Sequence, residues 1–181
     1  VDRLLGGAHH DPHSVLGAHP HPDGTVIRAL RPHADEVHVV REGGQGFPLV
    51  RVHNAGLFSG VVPGPPADYR LAVRYDERVD IVDDPYRWLP TLGEIDLHLI
   101  GEGRHEELWK TLGAHERTYD SPFGPITGTS FAVWAPSAEG VRVVGDFNGW
   151  DGTGHPMRSM GSTGIWELFI PNIGAGTTYK F

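Results

Sequence analysis

The fold is decided by the stretch Val141-Arg-Val-Val-Gly-Asp-Phe-Asn-Gly-Trp150. Its β-branched first half alternates apolar and polar residues, which predicts a half-buried strand over 141–144. The Asn-Gly pair predicts a tight turn, in which we expect the side chains of Asp146 and Asn148 to cap the local backbone. The turn ends on Trp150, so the sequence predicts a β-sandwich that presents a flat aromatic ring at its rim.

A second copy of this pattern lies earlier in the chain, at a constant offset of 104 residues. Residues 24–40 and 128–144 match without a gap at seven of 17 positions, including the glycine and proline of the turns. Two shorter blocks continue the match, namely 56–63 with 164–171 and 68–71 with 178–181. Short strands separated by Gly and Pro turns are typical of a β-sandwich, so the repeat indicates two tandem β-modules.

The stretch between the two copies has a different pattern. We predict helices over 92–100 and 104–112, because the second segment places its apolar residues on one helical face. Gly113 then follows at the position of a helix stop. We expect Trp88 and Trp109 to pack this linker against the modules.

These patterns define the predicted architecture. We predict an all-β protein of two tandem immunoglobulin-like β-sandwiches joined by a short helical linker. The first module spans 1–90, the linker 91–114 and the second module 115–181. Because Val1–Gly7 is typical of the end of a helix and 177–181 of a strand without a following turn, we expect a fragment of a longer protein, with the second module truncated at its C-terminal end.

Composition excludes several classes of partner. The 181 residues carry a net charge of −8 and no run of Lys or Arg, which argues against nucleic acid and against an acidic membrane surface. No apolar stretch is long enough to span a bilayer. The chain has no cysteine, which fits a cytoplasmic protein. Neither a cofactor motif nor a metal-ligand spacing is present, so we expect no cofactor and no metal.

Short motifs along nearly the whole chain point to one family. Phe131–Pro136 and Gly145–Trp150 are widespread in N-terminal modules of the α-amylase superfamily, whereas His155–Arg158 and Trp166–Pro171 are narrower. The first copy and the linker add His10–His13, Leu16–His19, Asp84–Trp88, Ile100–His105 and Leu112–His115. Together these motifs resemble the N-terminal region of bacterial 1,4-α-glucan branching enzymes. The second module is similar to carbohydrate-binding module family 48, and the first to the extra N-terminal module of the long bacterial form.

The resemblance implies a role in glycogen biosynthesis. Branching enzymes cleave α-1,4-glucan chains and transfer them to a 6-hydroxyl to form α-1,6 branches, which is retaining glycosidase-type chemistry with a sugar acceptor. The family carries the required carboxylates in a (β/α)8 barrel. These residues are too few to form that barrel and lack strand–helix alternation, so we expect no catalytic residue here and a barrel in the C-terminal part of the same polypeptide. The expected partner is α-1,4-glucan or glycogen.

Two residues are the carbohydrate-binding candidates that the resemblance implies. Trp150 offers a flat ring on which a glucose unit stacks, and Lys180 corresponds to a lysine that contacts sugar in related modules. The first copy has Arg41–Gly46 in place of the turn that ends on Trp150, so the stacking ring is absent there. We expect Trp134 and Trp166, which lie within strand patterns, to anchor the core.

Other chemistry-bearing groups have structural explanations. Prolines interrupt the histidine-rich segment, and its spacing matches no helical metal pair, although it contains His9, His10, Asp11, His13, His19 and His21. Asp83 and Asp84 precede Pro85 and are expected to form a turn. Three alternatives to a branching enzyme stay open: a stand-alone glycogen-binding targeting subunit, a debranching-type enzyme of the amylase family, and an immunoglobulin-like interaction domain without a sugar ligand.

Overall fold

A computed structural model describes all residues, 1–181. It contains thirteen strands and two α-helices, and neither helix is long and apolar enough to cross a membrane. The predicted all-β fold with a short helical linker is therefore confirmed. The chain divides into two compact units: the first unit takes His13–Arg87 and Asp120–Pro125, and the second unit takes Val1–Pro12, Trp88–Tyr119 and Ile126–Phe181. The module bounds at 1–90, 91–114 and 115–181 stay a prediction.

The first unit is one antiparallel sheet that curls upon itself. Its strands are β1 (Gly17–His21), β2 (Gly24–Leu30), β3 (Glu36–Arg41), β4 (Gly46–His53), β5 (Leu57–Val62), β6 (Tyr69–Tyr75) and β7 (Arg78–Val82), in the order β1-β2-β5-β4-β3-β6-β7. β4 pairs with β3 through its first half and with β5 through its second half, where the register is irregular between Arg51 and His53. Strands that switch sheets at such irregularities form the corners of sandwiches. Ile27 of β2 and Leu71 of β6 accordingly meet in one buried core.

The second unit has two antiparallel sheets. Its strands are β8 (Gly113–Tyr119), β9 (Ile126–Trp134), β10 (Val144–Gly145), β11 (Arg158–Ser159), β12 (Ile165–Pro171) and β13 (Tyr179–Lys180), ordered β11-β12-β9-β8 and β10-β13. The strand predicted over 141–144 is shorter than expected. Residues 141–143 form only an isolated β-bridge with the segment 155–157, in which Val143 N donates to His155 O and Met157 N donates to Val141 O.

The two copies of the repeat pair their strands in the same register. In the first copy Leu30 of β2 lies opposite Leu57 of β5, and in the second copy the equivalent Trp134 lies opposite Ile165. The strand pairs β3-β6 and β10-β13 agree as well, since Arg41 opposite Tyr69 corresponds to Gly145 opposite Tyr179. A register shift of one residue would exchange the buried and exposed faces, so the shared register supports duplication of one β-unit.

The duplication extends to a Leu-Gly-Ala-His strand that precedes each copy. Gly17 lies opposite Arg28, and Gly113 lies opposite Ala132, which is again the equivalent position. In both strands the histidine ring Nε2 lies 2.9 Å from the carbonyl oxygen of the leucine three residues earlier. The repeated unit therefore begins with β1 and β8, earlier than the sequence match alone indicates.

The linker forms an added layer on the second unit. Helix α1 spans Asp2–Leu5 and helix α2 spans Glu94–Gly101, close to the prediction of 92–100. The helix predicted over 104–112 is wrong, because only a 3-10 turn at Leu108–Lys110 forms there. Gly103 is left-handed at φ +67, and the His105 ring accepts a hydrogen bond from Glu107 N at 3.2 Å. Such local side-chain bonds compete with helix formation.

α2 and its flanks cover the outer face of the four-stranded sheet. Leu92, Ala132 and Ile165 are buried together there, and apolar residues of the linker pack against them. All seven residues of β12 are buried, so this strand is covered on both faces. This face also holds polar groups, so the linker is held by more than apolar contact.

A buried polar network ties the linker to the sheet. Glu167 is fully buried and bonds to the Arg158 guanidinium through one carboxylate oxygen. Its other oxygen accepts from the Thr91 hydroxyl at 2.8 Å, and that hydroxyl lies 2.6 Å from Ser130 Oγ. Arg158 Nη2 donates in turn to the Trp88 carbonyl oxygen at 3.2 Å. Buried charges are tolerated when they are paired and hydrogen-bonded, and here the pairing fixes the start of the linker.

Candidate functional site

The turn that the sequence singled out is compact and left-handed at its end. Asp146–Asn148 forms a 3-10 turn, followed by Gly149 at φ 59° and Trp150 at φ 63°. A left-handed residue with a large side chain is uncommon and mildly strained. Trp150 N donates to Gly145 O at 3.0 Å, which closes the turn onto strand β10.

The Asn148 side chain holds this turn from the inside. Its Oδ1 accepts from Gly145 N at 2.9 Å, and its Nδ2 donates to Val143 O at 3.0 Å. Asp146 Oδ2 accepts from Thr178 N at 3.2 Å, which joins the turn to the approach of β13. The capping role expected for Asn148 is thus confirmed, whereas the local cap expected for Asp146 is wrong, because its carboxylate bonds to a segment 32 residues away.

The two rings of the turn have opposite environments. The Phe147 ring lies 6.0 Å from the Phe131 ring and packs edge-on against His155 at 5.6 Å. Trp150 is 45% exposed. The turn therefore packs one partly buried ring against the interior and leaves the other at the surface.

Lys180 lies on the partner strand of the same small sheet. It is opposite Val144, while its neighbour Tyr179 is opposite Gly145. The carbonyl oxygen of Gly145 accepts the hydrogen bond from the Trp150 amide. The Tyr179 ring packs against Phe131 in the interior at 4.9 Å. Since successive side chains of a strand point to opposite faces, Lys180 points outward, and it is exposed. The fold thus brings the backbones of both candidate residues to the sheet β10-β13.

The remaining tryptophans only partly follow the prediction. Trp166 is 3% exposed and donates its Nε1 hydrogen to Ala135 O at 3.1 Å, so its role as a core anchor is confirmed. The same prediction for Trp134 is wrong, because it is 61% exposed. Its strand directs Phe131 into the core, and by alternation Trp134 falls on the outer face.

The linker tryptophans also differ from each other. Trp88 stacks on the Tyr119 ring at 5.1 Å and meets the Phe169 ring edge-on at 5.2 Å, as a packing residue does. Trp109 is 70% exposed and has only the Lys110 ammonium over its ring, so its expected packing role is wrong. The failed helix at 104–112 explains this, since the predicted apolar face never forms.

The acidic pair of the first unit is structural. Asp84 Oδ1 accepts from Tyr86 N at 3.1 Å, which is the predicted turn, and Asp84 Oδ2 accepts from the Tyr69 hydroxyl at 2.6 Å. Asp83 pairs with Arg70 Nε at 3.1 Å. Both carboxylates are therefore fully engaged in folding contacts. In the histidine-rich segment, the His10 ring also makes a folding contact, because it packs 5.9 Å from the Trp166 ring.

Sequence reasoning missed a groove on the outer face of the second unit. A groove of about 280 Å³ is lined by Ile100, Gly103, His105, Leu108, Leu112 and Trp134. The repeat offered a signal for it. Leu30, the counterpart of Trp134, follows the core residue Ala29 and so lies on the opposite face of the sheet from that core, where it is itself buried.

Family models match most of the chain. Residues 1–86 match the model described as alpha-1,4-glucan branching enzyme GlgB, N-terminal domain, and residues 111–181 match carbohydrate-binding module 48 (isoamylase N-terminal domain). Among solved structures, a pullulanase from Paenibacillus barengoltzii in complex with maltohexaose and alpha-cyclodextrin is 26% identical over 48% of this chain and 14% of that chain, with a TM-score of 0.35. At that score the likeness bears on neither fold nor ligand.

Curated relatives match over nearly the full chain. The 1,4-alpha-glucan branching enzyme GlgB of Thermobifida fusca is 61% identical over 97% of this chain and 24% of that protein. The corresponding protein of Rhodococcus jostii is 60% identical over 100% of this chain and 25% of that protein. The chain thus spans about a quarter of the length of these relatives. It belongs to the 1,4-alpha-glucan branching enzyme family and corresponds to the N-terminal region of its members.

Proposed function

We propose that the second unit binds linear α-1,4-glucan at the rim that carries Trp150 and Lys180. The observation that carries this proposal is the Trp150 ring, which is 45% exposed on a turn held rigid by Asn148. The apolar face of a glucose unit stacks on such a ring. Lys180 is exposed, forms no ion pair and provides N–H donors for sugar hydroxyls.

The parent polypeptide, in this proposal, is a glycogen branching enzyme. It cleaves an α-1,4 bond and transfers the released chain to a 6-hydroxyl, with the carboxylates of a (β/α)8 barrel outside these residues. The match of residues 1–86 to a branching-enzyme domain favours this over a targeting subunit or a debranching enzyme. A cytoplasmic location, and the lack of nucleic-acid and membrane partners, belong to the same proposal.

The binding is expected to be weak. A single half-exposed ring with one lysine offers few contacts, so we expect a dissociation constant on the order of millimolar. Weak sites gain effect on a multivalent particle such as glycogen, because binding at one point raises the local concentration of neighbouring chains. The first unit takes no part in this site, since its equivalent hairpin at Arg41–Gly46 has no aromatic ring.

Affinity electrophoresis of the 181-residue chain in glycogen-containing gels tests the proposal. Trp150→Ala should reduce the glycogen-dependent retardation at least about tenfold, which corresponds to ~1.4 kcal/mol, and Lys180→Ala should reduce it a few-fold. Trp109→Ala is the matched control, because Trp109 is the most exposed tryptophan and lies on the linker. Urea unfolding should show that Trp150→Ala is folded. A folded Trp150→Ala variant that is retarded like the wild type would contradict the proposal.

A further inference from the structure

The groove on the outer face of the second unit has a tryptophan as one wall. Trp134 ends strand β9 and is 61% exposed, and the groove beside it is lined by linker residues, Leu108 and Leu112 among them. Its volume of about 280 Å³ lies at the lower edge of those typical for small-molecule sites. Nothing in the core of the unit requires an indole here, because the ring points away from it.

The repeat shows that this tryptophan is a departure. Its counterpart in the first copy is Leu30, which has the same pairing register and is 1% exposed. A leucine at this position is therefore compatible with the strand pair. The second copy has instead a large flat ring, and it leaves that ring uncovered.

The polar edge of the indole is also left available. Trp134 Nε1 makes no hydrogen bond within the protein, whereas the buried Trp166 donates to Ala135 O. Gly164 lies beside this edge in a left-handed conformation, and a Cβ there would stand 3.2 Å from Trp134 Nε1. The same Cβ would stand 2.6 Å from Pro136 Cβ, so the positive φ and the contact with Pro136 require glycine here.

The groove favours a neutral ligand. None of its lining residues carries a permanent charge. Its one titratable ring, His105, is engaged on both nitrogens: Nε2 lies 3.0 Å from Asp96 Oδ1, and Nδ1 accepts from Glu107 N at 3.2 Å. Phosphorylated or carboxylated ligands would find no countercharge in such a lining.

We infer that this groove is a second binding site for α-glucan, in which a glucose ring stacks on Trp134 and a hydroxyl accepts from its Nε1–H. An apolar protein segment fits less well, because covering an unpaired N–H costs about 1–3 kcal/mol. A sugar covers the ring with its apolar face and pairs the N–H with an oxygen. The inference takes the class of ligand from the proposed function but concerns a separate place on the unit. Trp134 lies on the four-stranded sheet, whereas Trp150 follows strand β10 of the two-stranded sheet.

Indole N–H signals give a direct test. The chain labelled with 15N-tryptophan shows five indole signals, one for each tryptophan, and each is assigned by a Trp→Leu variant. Titration with maltoheptaose should shift the Trp134 and Trp150 signals and leave that of Trp109 unmoved. The Trp134→Leu variant, which installs the residue of the first copy, should leave the Trp150 titration unchanged.

The outcomes separate this site from the rim. In glycogen affinity gels, Trp150→Ala should retain a residual retardation that the added change Trp134→Leu removes. If the Trp134 signal moves while that of Trp150 does not, the groove site stands and the rim site fails. If only the Trp150 signal moves, the groove site is overturned. It is overturned as well if the Trp134 signal broadens with protein concentration in the absence of sugar, because a second copy of the chain then covers the groove.

Discussion

The two copies of the repeat share a register but use their surfaces differently. Ala132 lies opposite Glu167 in the second copy, at the positions that Arg28 and Ser59 occupy in the first. Arg28 reaches only the Val15 carbonyl oxygen, whereas Glu167 anchors the linker. The comparison shows that the two copies keep the same strand pairing, while the side chains on the outer face and the turns make different contacts in each copy.

The largest expected effect tests the anchor of the linker. Glu167→Ala should lower the free energy of unfolding by about 3–5 kcal/mol, because it leaves the Arg158 charge buried without its partner. The matched control is Ser59→Ala, the equivalent position of the first copy, which should change stability by less than about 1 kcal/mol. Urea unfolding of the whole chain measures both.

A small effect of Glu167→Ala would contradict the view that Glu167, unlike Ser59 of the first copy, anchors the linker. A loss below about 1 kcal/mol would mean that Arg158, once alone, reaches water or another partner, so that no buried charge is left unpaired. The linker would then be held by the apolar cluster around Leu92 and Ile165, much as any helix packs on a sheet. Leu92→Ala would become the more damaging change in that case.

The second prediction contrasts the equivalent tyrosines of the two copies. Tyr69 is 1% exposed and donates to Asp84 at 2.6 Å, while Tyr179 is only partly buried. Burial, and then the Asp84 carboxylate, hold the pKa of Tyr69 well above its ordinary value near 10. The unfolded chain therefore loses this proton first as pH rises above about 10, and the stability of the folded state falls from that point upward.

Tyr69→Phe should remove most of this alkaline loss, and a smaller part should remain because burial also raises the pKa of Tyr119. At neutral pH it should cost about 1.5–3 kcal/mol, because the hydrogen bond to a carboxylate is lost. Tyr179→Phe, the matched control, should leave the alkaline decline of the chain in place. Denaturant midpoints measured between pH 8 and pH 11 decide the question, and an unchanged decline in Tyr69→Phe would assign it to another group.

The sequence predicted most of what depends on local pattern. The repeat located the strands, and Asn148 was predicted as the capping residue of the turn because Asx side chains bond to nearby backbone. Long-range partners were not predictable, since nothing in the sequence links Glu167 to Thr91, which lies 76 residues away. The apolar neighbours of Trp134 predict a core position, and only the pairing register shows which face it occupies.

The smallest effect concerns the turn that carries Trp150. In the first copy both left-handed positions of the equivalent hairpin are glycines, Gly43 at φ 88° and Gly44 at φ 81°. In the second copy the left-handed pair is Gly149 and Trp150. A non-glycine residue in this conformation costs about 1–2 kcal/mol, and such strain is concentrated at functional sites. The tryptophan therefore occupies a position at which the turn favours glycine.

Trp150→Gly should consequently be more stable than Trp150→Ala by about 1 kcal/mol or less, since the relief of strain exceeds the added freedom of the unfolded chain. Gly149→Ala is the matched control in the adjacent left-handed position, and it should lose about 1 kcal/mol. Both Trp150 variants should lose the rim contribution to glycogen retardation. Equal unfolding free energies for the Gly and Ala variants would show that the turn carries no strain at this residue. The exposed ring would then be explained by turn geometry alone, and the argument from strain to a sugar-binding rim would fail.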